Sequence, residues 1–369
     1  MRVLHIVTRY RRGGSEQRVR DFVAALSDHE HVVVVGDDSD TQLAAGHLGV
    51  PVEREPNLVR APRFDRDVRA VRSLTARLRR DPVDLVVTHQ SKAGVVGRVA
   101  ARLAGGIPAV HSLSMASFGP GYGRAESTMF QTVERALAPL TTRYVVVGAD
   151  LARRFEVAGV ASRKLVIVRS AATLPAPRPA AVPSVPGVPD GRPVVLCLGA
   201  LEHRKNPLDL VPLLARVREQ IPDAFLAVAG EGPLAEDLEK AVADAGLAAD
   251  VALLGFVKPV EPLLWRADAL VLLSNAEGLP QVLIQAAAAG LPFVTYDVDG
   301  GREVVALGAV GQVVPLNAVD QAAAALVRIL AAPGSRHRRV DVTSWDPDVI
   351  AASYRTLVAD VLGEARCAG

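Results

Sequence analysis

A proline-rich stretch near the middle of the chain divides two regions that repeat one pattern. Residues 169–193 contain seven prolines and no periodic apolar pattern, which is typical of an extended connection. On each side, short β-branched runs alternate with longer helical patterns, as in parallel sheets covered on both faces. The sequence therefore predicts two doubly wound, Rossmann-like α/β domains, residues 1–170 and 194–346, joined by a linker over 171–193.

The predicted elements follow these runs. Before the proline-rich stretch, strands are predicted at 3–8, 32–36, 85–88, 145–147 and 166–168, with helices at 15–26 and 64–80. After it, strands are predicted at 194–198, 225–229, 252–256, 269–273 and 293–296, with helices at 207–220, 233–245 and 280–289.

Composition excludes several classes of protein. With 50% hydrophobic and 22% charged residues over 369 positions, the chain has the profile of a folded protein of more than one domain. Its two cysteines, Cys197 and Cys367, provide neither a disulfide framework nor a zinc-ligand cluster. From this cysteine content we expect a protein of the reducing cytoplasm. No apolar run is long enough for a signal peptide or a membrane span, so we expect the chain not to cross a membrane.

Charge is distributed unevenly along the chain. Up to residue 169 there are 26 Lys and Arg against 17 Asp and Glu, whereas the rest has 16 against 23. A basic first half favours an anionic acceptor, a membrane surface or nucleic acid. The sequence has few aromatic residues, and it has no zinc-binding, recognition-helix or RNP-like signature. We therefore expect no nucleic-acid partner.

The predicted helix at residues 63–80 is rich in arginine. It has an apolar stripe of Val68, Val71, Leu74 and Leu78, and arginines elsewhere at Arg66, Arg69, Arg72, Arg77, Arg79 and Arg80. Such a helix can lie on anionic lipid, or it can be an ordinary domain helix with its stripe in the core and its arginines in solvent. We expect at most peripheral membrane contact through it.

Chemistry is expected in the loops that follow strands, because ligands of doubly wound sheets bind at the carboxyl ends of the strands. Gly13 and Gly14 follow the first strand at a helix N-terminus, where N–H groups can hold an anion or simply form a turn. Arg204 and Lys205 follow the first strand of the second domain, either as cations for a diphosphate or as solvated surface.

The segment at residues 275–292, NAEGLPQVLIQAAAAGLP, is the most specific. Glu277 and Gly278 precede a helix opened by Leu279 and Pro280, and Gln285 lies further along that helix. The N–H groups near the helix start favour phosphate oxygens, and Glu277 and Gln285 could reach one elongated ligand. The alternative is a capping carboxylate followed by a core helix of alanines.

Taken together, these segments resemble glycosyltransferases of family 4, which are retaining, nucleotide-sugar-dependent enzymes with the two-domain GT-B fold. The resemblance covers nearly the whole chain. It also includes GGSEQ at 13–17, THQSKAGVVGRVAARLAGGIP at 88–108, VVGADLARRF, LGALEHRKNPLDL, VAGEGP, LLGFV, DVDGGREVV and SWDPDVIAASYRTL.

The resemblance implies roles for individual residues. Lys205 would bind the donor diphosphate, Glu277 would hydrogen-bond the donor sugar, and Gln285 would hold the ribose. Gly14 would line the acceptor side, and His111 would contact the donor sugar unless Ser114, nearer the usual spacing, takes that place. The C-terminal helix at about 347–363 would pack back on the first domain. Sugar and phosphate would meet the N–H groups of Gly278, Leu279, Pro280, Gln281 and Val282, and the base would lie near Gly230, Phe256 and Val257.

The chain departs from the family pattern at several positions. Ala200 stands where the family usually has an arginine, so one diphosphate cation is missing unless Arg204 substitutes for it. Gln285 replaces the usual second glutamate, and Ser170-Ala171 replaces an Asn-Gly pair. None of these departures removes Lys205 or Glu277.

The resemblance implies that catalysis needs no metal ion and no cofactor besides the donor substrate. Asp38-Ser39-Asp40 and Asp297-Val298-Asp299 spell the Asp-any-Asp pattern that another glycosyltransferase fold uses for metal, but the pattern is short and common. We expect no metal here.

The function predicted is transfer of a hexosyl or N-acetylhexosaminyl group from a nucleoside diphosphate sugar to an acceptor hydroxyl, with retention. Family frequency favours UDP over GDP. The acceptor would be a small molecule such as an aminocyclitol, a glycan or a lipid-linked sugar. The alternatives are a non-catalytic nucleotide-sugar-binding relative and a GT-B-like UDP-sugar epimerase.

Overall fold

The computed structural model describes residues 1–11, 14–119, 121–332 and 340–368. The chain divides into two compact units. The first contains Met1–Ala171 together with the residues from Ser344 onward, and the second contains Ala172–Thr343. The proline-rich stretch forms neither helix nor strand, and from Ala172 it groups with the second unit.

The first unit is built on a seven-stranded parallel sheet of order β3-β2-β1-β4-β5-β6-β7. The strands are β1 (Arg2–Val7), β2 (Glu30–Gly36), β3 (Val52–Glu55), β4 (Leu85–His89), β5 (Ala109–Leu113), β6 (Arg143–Val146) and β7 (Leu165–Ile167). The helices between them are α1 (Gly14–Ala25), α2 (Thr41–Leu48), α3 (Phe64–Arg80), α4 (Ser91–Leu103), α5 (Arg124–Leu137) and α6 (Ala149–Val157).

The second unit repeats this architecture with a six-stranded parallel sheet of order β10-β9-β8-β11-β12-β13. Its strands are β8 (Val194–Leu198), β9 (Phe225–Ala229), β10 (Val251–Leu253), β11 (Ala269–Leu272), β12 (Phe293–Tyr296) and β13 (Gly311–Val314). Its helices are α7 (Leu210–Arg218), α8 (Ala235–Asp244), α9 (Glu261–Arg266), α10 (Gln281–Ala289), α11 (Gly301–Ala306) and α12 (Val319–Ala331).

The last helix, α13 (Pro347–Ala368), completes the core of the first unit. Val3 of β1, Phe22 of α1 and Tyr354 of α13 are all buried in one apolar cluster. The rings of Phe22 and Tyr354 lie 4.6 Å apart between centroids. Leu4 and Ile6 belong to a separate cluster with α3 and α4. Both faces of the sheet are therefore covered, which explains why its strands are apolar throughout.

The prediction of two parallel α/β sheets is confirmed, and most predicted strands lie within a residue or two of their observed positions. The strand predicted at 252–256 is wrong beyond Leu253, because the chain turns away at Leu254 and Gly255. Helix α2 and the edge strands β3 and β13 were not predicted, since they are short and only partly apolar. No bounds were predicted for strand β5 or for helices α4, α5, α6, α9, α11 and α12.

The arginine-rich helix α3 buries Leu74 and Leu78 in the core and exposes most of its arginines. Arg77 is an exception to the predicted pattern. Its guanidinium is buried and lies 2.9 Å from Glu53 of β3, so it stabilises the fold and is unavailable to a membrane. None of the described helices is both long and apolar enough to span a bilayer.

Candidate active site

In the sheet of the second unit, the order in which successive strands are added reverses between β8 and β11. Strands β9 and β10 extend from one side of this pair, and β12 and β13 extend from the other. Ligands of doubly wound sheets bind outside the carboxyl ends of the strands at such a point. The loop after β8 carries Arg204 and Lys205, and the loop after β11 carries Glu277. The strand order itself therefore brings these three residues together.

The cation loop, residues 199–206, is fixed by its own backbone. It leaves β8 through Gly199, whose φ of 151° suits only glycine, and His203–Lys205 form a 3₁₀ turn. Asn206 ends the turn in the left-handed region at φ 51°. Its side-chain amide donates to Asp209 Oδ2 at 2.7 Å, and Tyr296 Oη donates to the same oxygen at 2.7 Å. Lys205 is thus carried by a turn tied to α7 and β12.

The loop that carries Glu277 is bonded directly to the cation loop. The backbone N–H of Asn275 donates to the carbonyl of Arg204 at 2.8 Å, and the Asn275 side chain donates to the carbonyl of His203 at 3.4 Å. These bonds set the distance between the carboxylate and the two cations.

Glu277 pairs with both cations. Lys205 Nζ lies 2.5 Å from its Oε1, and Arg204 Nη1 lies 3.1 Å from its Oε2. Arg204 also donates through Nη1 to the carbonyl of Ala276 at 3.1 Å and through Nη2 to Oε1 of Glu202 at 2.8 Å. The Glu277 side chain is 9% exposed, whereas the arginine side chain is 34% exposed. The cluster is therefore a buried carboxylate with two cations at its outer side.

These pairs determine the ionisation of the cluster. Burial raises the pKa of the Glu277 carboxyl, but Lys205 and Arg204 together outweigh burial, and the pKa lies below its ordinary value. Burial lowers the pKa of Arg204, and the two carboxylates beside it outweigh that effect and raise it. Glu277 is thus ionised at neutral pH and can only accept hydrogen bonds.

Comparison with known proteins identifies the family. The sequence profile described as "Glycosyl transferases group 1" matches residues 181–341, and that of the "Glycosyl transferase 4-like domain" matches residues 13–171. The 2-deoxystreptamine glucosyltransferase of Streptomyces kanamyceticus is 30% identical over 322 residues, which cover 79% of this chain and 76% of that protein. The chain is a family 4 glycosyltransferase.

Other relatives agree with this assignment. An Escherichia coli protein named UDP-Gal:alpha-D-GlcNAc-diphosphoundecaprenol alpha-1,3-galactosyltransferase is 28% identical over 283 residues, 74% of this glycosyltransferase and 73% of that protein. The crystal structure of Anabaena HepE in complex with UDP superposes with a TM-score of 0.72 over 99% of this chain and 100% of that one, at 18% identity. The predicted GT-B fold is therefore confirmed.

The start of α10 lies beside the cluster. Gly278 and Pro280 are buried, whereas Leu279, Gln281 and Val282 are half-buried. A Cβ on Gly300, the residue before α11, would lie 2.6 Å from Leu279 Cδ1, and its φ is 83°. The loop after β12 therefore packs directly on the Leu279–Pro280 segment, and glycine is required there. The quoted DVDGGREVV segment contains this contact, but the sequence indicated no role for it.

Gln285 lies half-buried on α10, and its amide donates to the carbonyl of Thr173 at 3.2 Å. Thr173 belongs to the proline-rich stretch. The structure thus gives this amide a partner within the second unit, and its predicted contact with ribose stays a prediction.

The residues predicted around the base differ in exposure. A Cβ on Gly230 would lie 1.8 Å from the carbonyl oxygen of Gly199, so this glycine allows the loop after β9 to pack on the cation loop. Phe256 is 70% exposed, and Val257 beside it is half-buried. Gly230 therefore shapes the backbone, while Phe256 offers an open aromatic face.

The structure places His111 in the interior of the first unit, and its predicted contact with the donor sugar stays a prediction. Its ring is fully buried in β5, where Thr88 lies 2.9 Å from Nδ1 and Glu134 lies 3.8 Å from Nε2. Burial and then Arg98 hold the pKa of His111 well below its ordinary value. A Cβ on Gly94 would lie 2.3 Å from the ring, which shows how closely α4 covers it. The imidazole packs the interior, and half-buried Ser114, just after β5, is the alternative.

The acceptor-side prediction falls on the start of α1. Gly14 is the first residue of that helix, and Gly13 lies outside the described residues. Nearby, the N–H of Arg9 donates to Gln90 Oε1 and the Gln90 amide donates to the carbonyl of Arg9, both at 3.0 Å. This pairing joins the loops after β1 and β4.

The Asp-any-Asp segments are used in other ways by the glycosyltransferase. Asp40 accepts from the N–H of Leu43 and caps α2, and Asp38 pairs with Arg11. Asp297 pairs with Arg302 at 2.7 Å. Within the described part of the chain, no three His, Cys, Asp or Glu side chains are grouped as metal ligands.

Three residues that contribute to the cluster were not predicted, namely Glu202, Asp209 and Tyr296. Asp209 holds the side chain of Asn206, and Tyr296 donates to Asp209. The contact with Tyr296 forms because the fold brings the residue before α7 next to the end of β12. Glu202 lies two positions before Arg204, and the Glu-His-Arg-Lys order was the signal that could have indicated an ion pair.

Proposed function

We propose that this glycosyltransferase is a retaining enzyme that moves a hexosyl or N-acetylhexosaminyl group from a nucleoside diphosphate sugar to an acceptor hydroxyl. UDP is the proposed nucleotide. The observation that carries the proposal is the pair of cations, Arg204 and Lys205, held on one buried carboxylate at the carboxyl end of a parallel sheet. A diphosphate leaving group gains negative charge as its bond to the sugar breaks, and paired cations stabilise that charge.

Donor binding would exchange the partners of this cluster. Lys205 and Arg204 would turn from Glu277 to the diphosphate oxygens, because these carry charge that the cations match. Glu277 would then accept hydrogen bonds from the hydroxyls of the donor sugar. Before the donor binds, Lys205 and Arg204 hold the pKa of Glu277 below its ordinary value, so the carboxylate that meets the sugar is ionised and accepts hydrogen bonds.

A retaining outcome is consistent with this chemistry. Glycosidases use two carboxyl groups flanking the scissile bond, and one of these must donate a proton. In this cluster Glu277 is bound by two cations and stays ionised. We therefore propose that the acceptor hydroxyl attacks C1 of the sugar from the side of the leaving group, as the bond from C1 to the diphosphate breaks, and that the departing diphosphate oxygen takes the hydroxyl proton.

The remaining parts of the donor would meet residues around the cluster. The exposed ring of Phe256 would stack on the base, beside Val257 and Gly230. Gln285 would reach the ribose after its amide leaves the Thr173 carbonyl, or through its free side-chain oxygen. Phosphate and sugar would lie at Gly278, Leu279, Pro280, Gln281 and Val282, and the acceptor would lie near Gly14.

Two acceptor classes are supported by the names of the relatives. The name of the Escherichia coli relative includes a sugar linked through a diphosphate to the lipid undecaprenol. The name of the Streptomyces relative includes 2-deoxystreptamine. We propose an acceptor in cell-envelope or natural-product biosynthesis. We further propose catalysis without a metal ion, a cytoplasmic protein, and at most peripheral membrane contact through the exposed arginines of α3.

The test is incubation of the purified protein with UDP-glucose, UDP-galactose, UDP-N-acetylglucosamine and GDP-mannose, with and without 2-deoxystreptamine or a diphospholipid-linked N-acetylglucosamine. Nucleotide release and the NMR anomeric signal of the product are measured, with and without EDTA. UDP release with an α-linked product supports the proposal.

Other outcomes would replace it. A β-linked product contradicts retention, and GDP release alone contradicts UDP as the nucleotide. Binding without release indicates a non-catalytic relative, and conversion of a UDP-sugar without acceptor indicates an epimerase. Loss of activity in EDTA contradicts metal-independent catalysis.

A further inference from the structure

Glu202 has no role in the function proposed above, yet it lies against one of the two cations. Its Oε1 accepts from Arg204 Nη2 at 2.8 Å. The other end of the same guanidinium, Nη1, donates to the carbonyl of Ala276 and lies 3.1 Å from Glu277 Oε2. A guanidinium is planar, so partners at both ends fix the direction in which it points. The Arg204 side chain is therefore held from two sides.

The two carboxylates differ in what they would do when a diphosphate arrives. Glu277 is the shared partner of Arg204 and Lys205, and it would release both to the ligand. Glu202 contacts the far end of Arg204, and its side chain is 42% exposed. It can keep its bond to Nη2 while Nη1 changes partner. Glu202 would thus hold the guanidinium in place during the exchange.

The side chain of Glu202 is separable from the turn that it begins. Its backbone carbonyl accepts from the N–H groups of Lys205 at 2.9 Å and Asn206 at 3.2 Å, and these bonds form the turn. Substitution of the side chain leaves the carbonyl in place. A Glu202 variant can therefore change the position of Arg204 without unfolding the loop.

We infer that Glu202 is a positioning residue that directs Arg204 toward the donor diphosphate, so that Arg204 serves as the second diphosphate cation beside Lys205. The inference rests on the proposed function. In this role the Glu202 carboxylate favours binding of the diphosphate anion, because it orients the Arg204 cation that contacts the anion.

This role has a sign that distinguishes it from a simple charge effect. A carboxylate near a diphosphate repels it, so loss of the charge alone tightens binding. Loss of positioning weakens it. Glu202→Gln removes the charge and keeps an oxygen that accepts from Arg204, whereas Glu202→Ala removes both.

The experiment is calorimetric titration of the full chain with UDP and with GDP. We expect Glu202→Gln to bind the better of the two nucleotides as tightly as wild type or more tightly. Glu202→Ala should bind it about fivefold more weakly than Glu202→Gln, which is the range of a partly exposed ion pair. Glu219→Ala, which removes the same charge from the exposed Arg216–Glu219 pair of this unit, should have no effect.

Combination with Arg204→Ala completes the test. In that background Glu202→Ala and Glu202→Gln should bind the nucleotide equally, because no guanidinium remains to be positioned. Equal affinities of the two Glu202 variants in the presence of Arg204, or an equal difference without it, would overturn the inference. If wild type binds neither nucleotide, the proposed function fails first and the inference fails with it.

Discussion

The ammonium group of Lys205 lies 2.5 Å from one carboxylate oxygen of Glu277, while Arg204 lies 3.1 Å from the other. Two residues that are 72 positions apart in the sequence are thus direct partners. The cations have already lost much of their water on folding. A diphosphate that replaces Glu277 as their partner meets less of the cost of desolvating them.

Lys205→Ala should abolish most turnover and leave the fold intact. A fixed cation that faces developing negative charge acts chiefly in the transition state, so we expect kcat/KM to fall at least about a hundredfold. Lys240→Ala, at an exposed lysine of α8, is the matched control. Both variants should be folded at the assay temperature, with the lower unfolding temperature in Lys205→Ala because it leaves the buried Glu277 carboxylate with one cation fewer. Wild-type kcat/KM in Lys205→Ala would remove this lysine from the site.

Arg204→Ala should also be severe, because Ala200 leaves the loop without the arginine that the family usually has. We expect kcat/KM to fall about tenfold or more. Ala200→Arg, introduced into Arg204→Ala, should restore part of the loss by supplying a guanidinium from the same loop. A silent Arg204→Ala variant would show that Lys205 alone neutralises the leaving group.

Gln285 and Glu277 should affect different parts of the donor. Gln285→Ala should weaken UDP and UDP-sugar alike, because the ribose is common to both, and Gln285→Glu should change affinity by no more than about 2 kcal/mol. Glu277→Gln should reduce turnover of the sugar donor without weakening UDP. Titration of UDP and intact donor measures both, and equal loss of UDP binding in Glu277→Gln and Gln285→Ala would contradict the division.

Acid should destabilise the first unit through a row of buried histidines. His31 Nε2 donates to the carbonyl of Leu26 at 2.8 Å, and His5 joins His31 Nδ1 at 3.0 Å to His89 Nε2 at 3.2 Å. With neutral rings, His31 Nδ1 accepts from His5 Nε2, and His5 Nδ1 accepts from His89 Nε2, so one chain of hydrogen bonds accommodates three neutral imidazoles. Burial, the largest cause, lowers the pKa of His89 to about 3 and that of His5 well below its ordinary value.

The unfolded chain binds protons to these rings below about pH 6.5, whereas the folded chain does not. The contribution of these neutral rings to the free energy of unfolding should therefore be complete above pH 6.5. It should fall as the pH drops toward 3, by up to about 1.4 kcal/mol per pH unit for each ring. Urea unfolding between pH 7.5 and 5 measures this slope. His5→Leu should make it shallower, and His29→Gln, outside the row, serves as the control. Equal slopes in wild type and His5→Leu would contradict the prediction.

Binding of the protein to vesicles with anionic lipid should be weak and sensitive to salt. The attraction of exposed arginines on α3 to a charged surface falls off within about 8 Å at physiological ionic strength. Arg72→Glu combined with Arg79→Glu should remove it, and both arginines are exposed. Tight cosedimentation at high salt would contradict an electrostatic contact and favour a lipid acceptor.

Sequence patterns predicted the sheets and placed Lys205 and Glu277 in loops at one sheet edge because both depend on local signals. Apolar runs identify strands, and these two residues lie in the loops that follow β8 and β11. The sequence could not give the long-range partners of these loops, since Asp209, which holds Asn206, meets Tyr296 only through the packing of the fold.

The burial of the His111 ring could not be predicted. No bounds were predicted for β5, and because both faces of its sheet are covered, the sequence has no polar–apolar alternation to indicate where a side chain points. Arg77 on α3 was predicted in solvent for a similar reason: Glu53, its partner, lies on an edge strand that the sequence did not reveal.

The packing of α13 against β1 has a consequence for synthesis on the ribosome. Tyr354, Leu357 and Val361 are buried in the same cluster as Val3, so the first unit lacks part of its core until these residues emerge from the exit tunnel. The second unit is one continuous segment and can fold earlier. Translation therefore leaves part of one face of the N-terminal sheet uncovered longest, and a chaperone that protects nascent apolar surface would bind there.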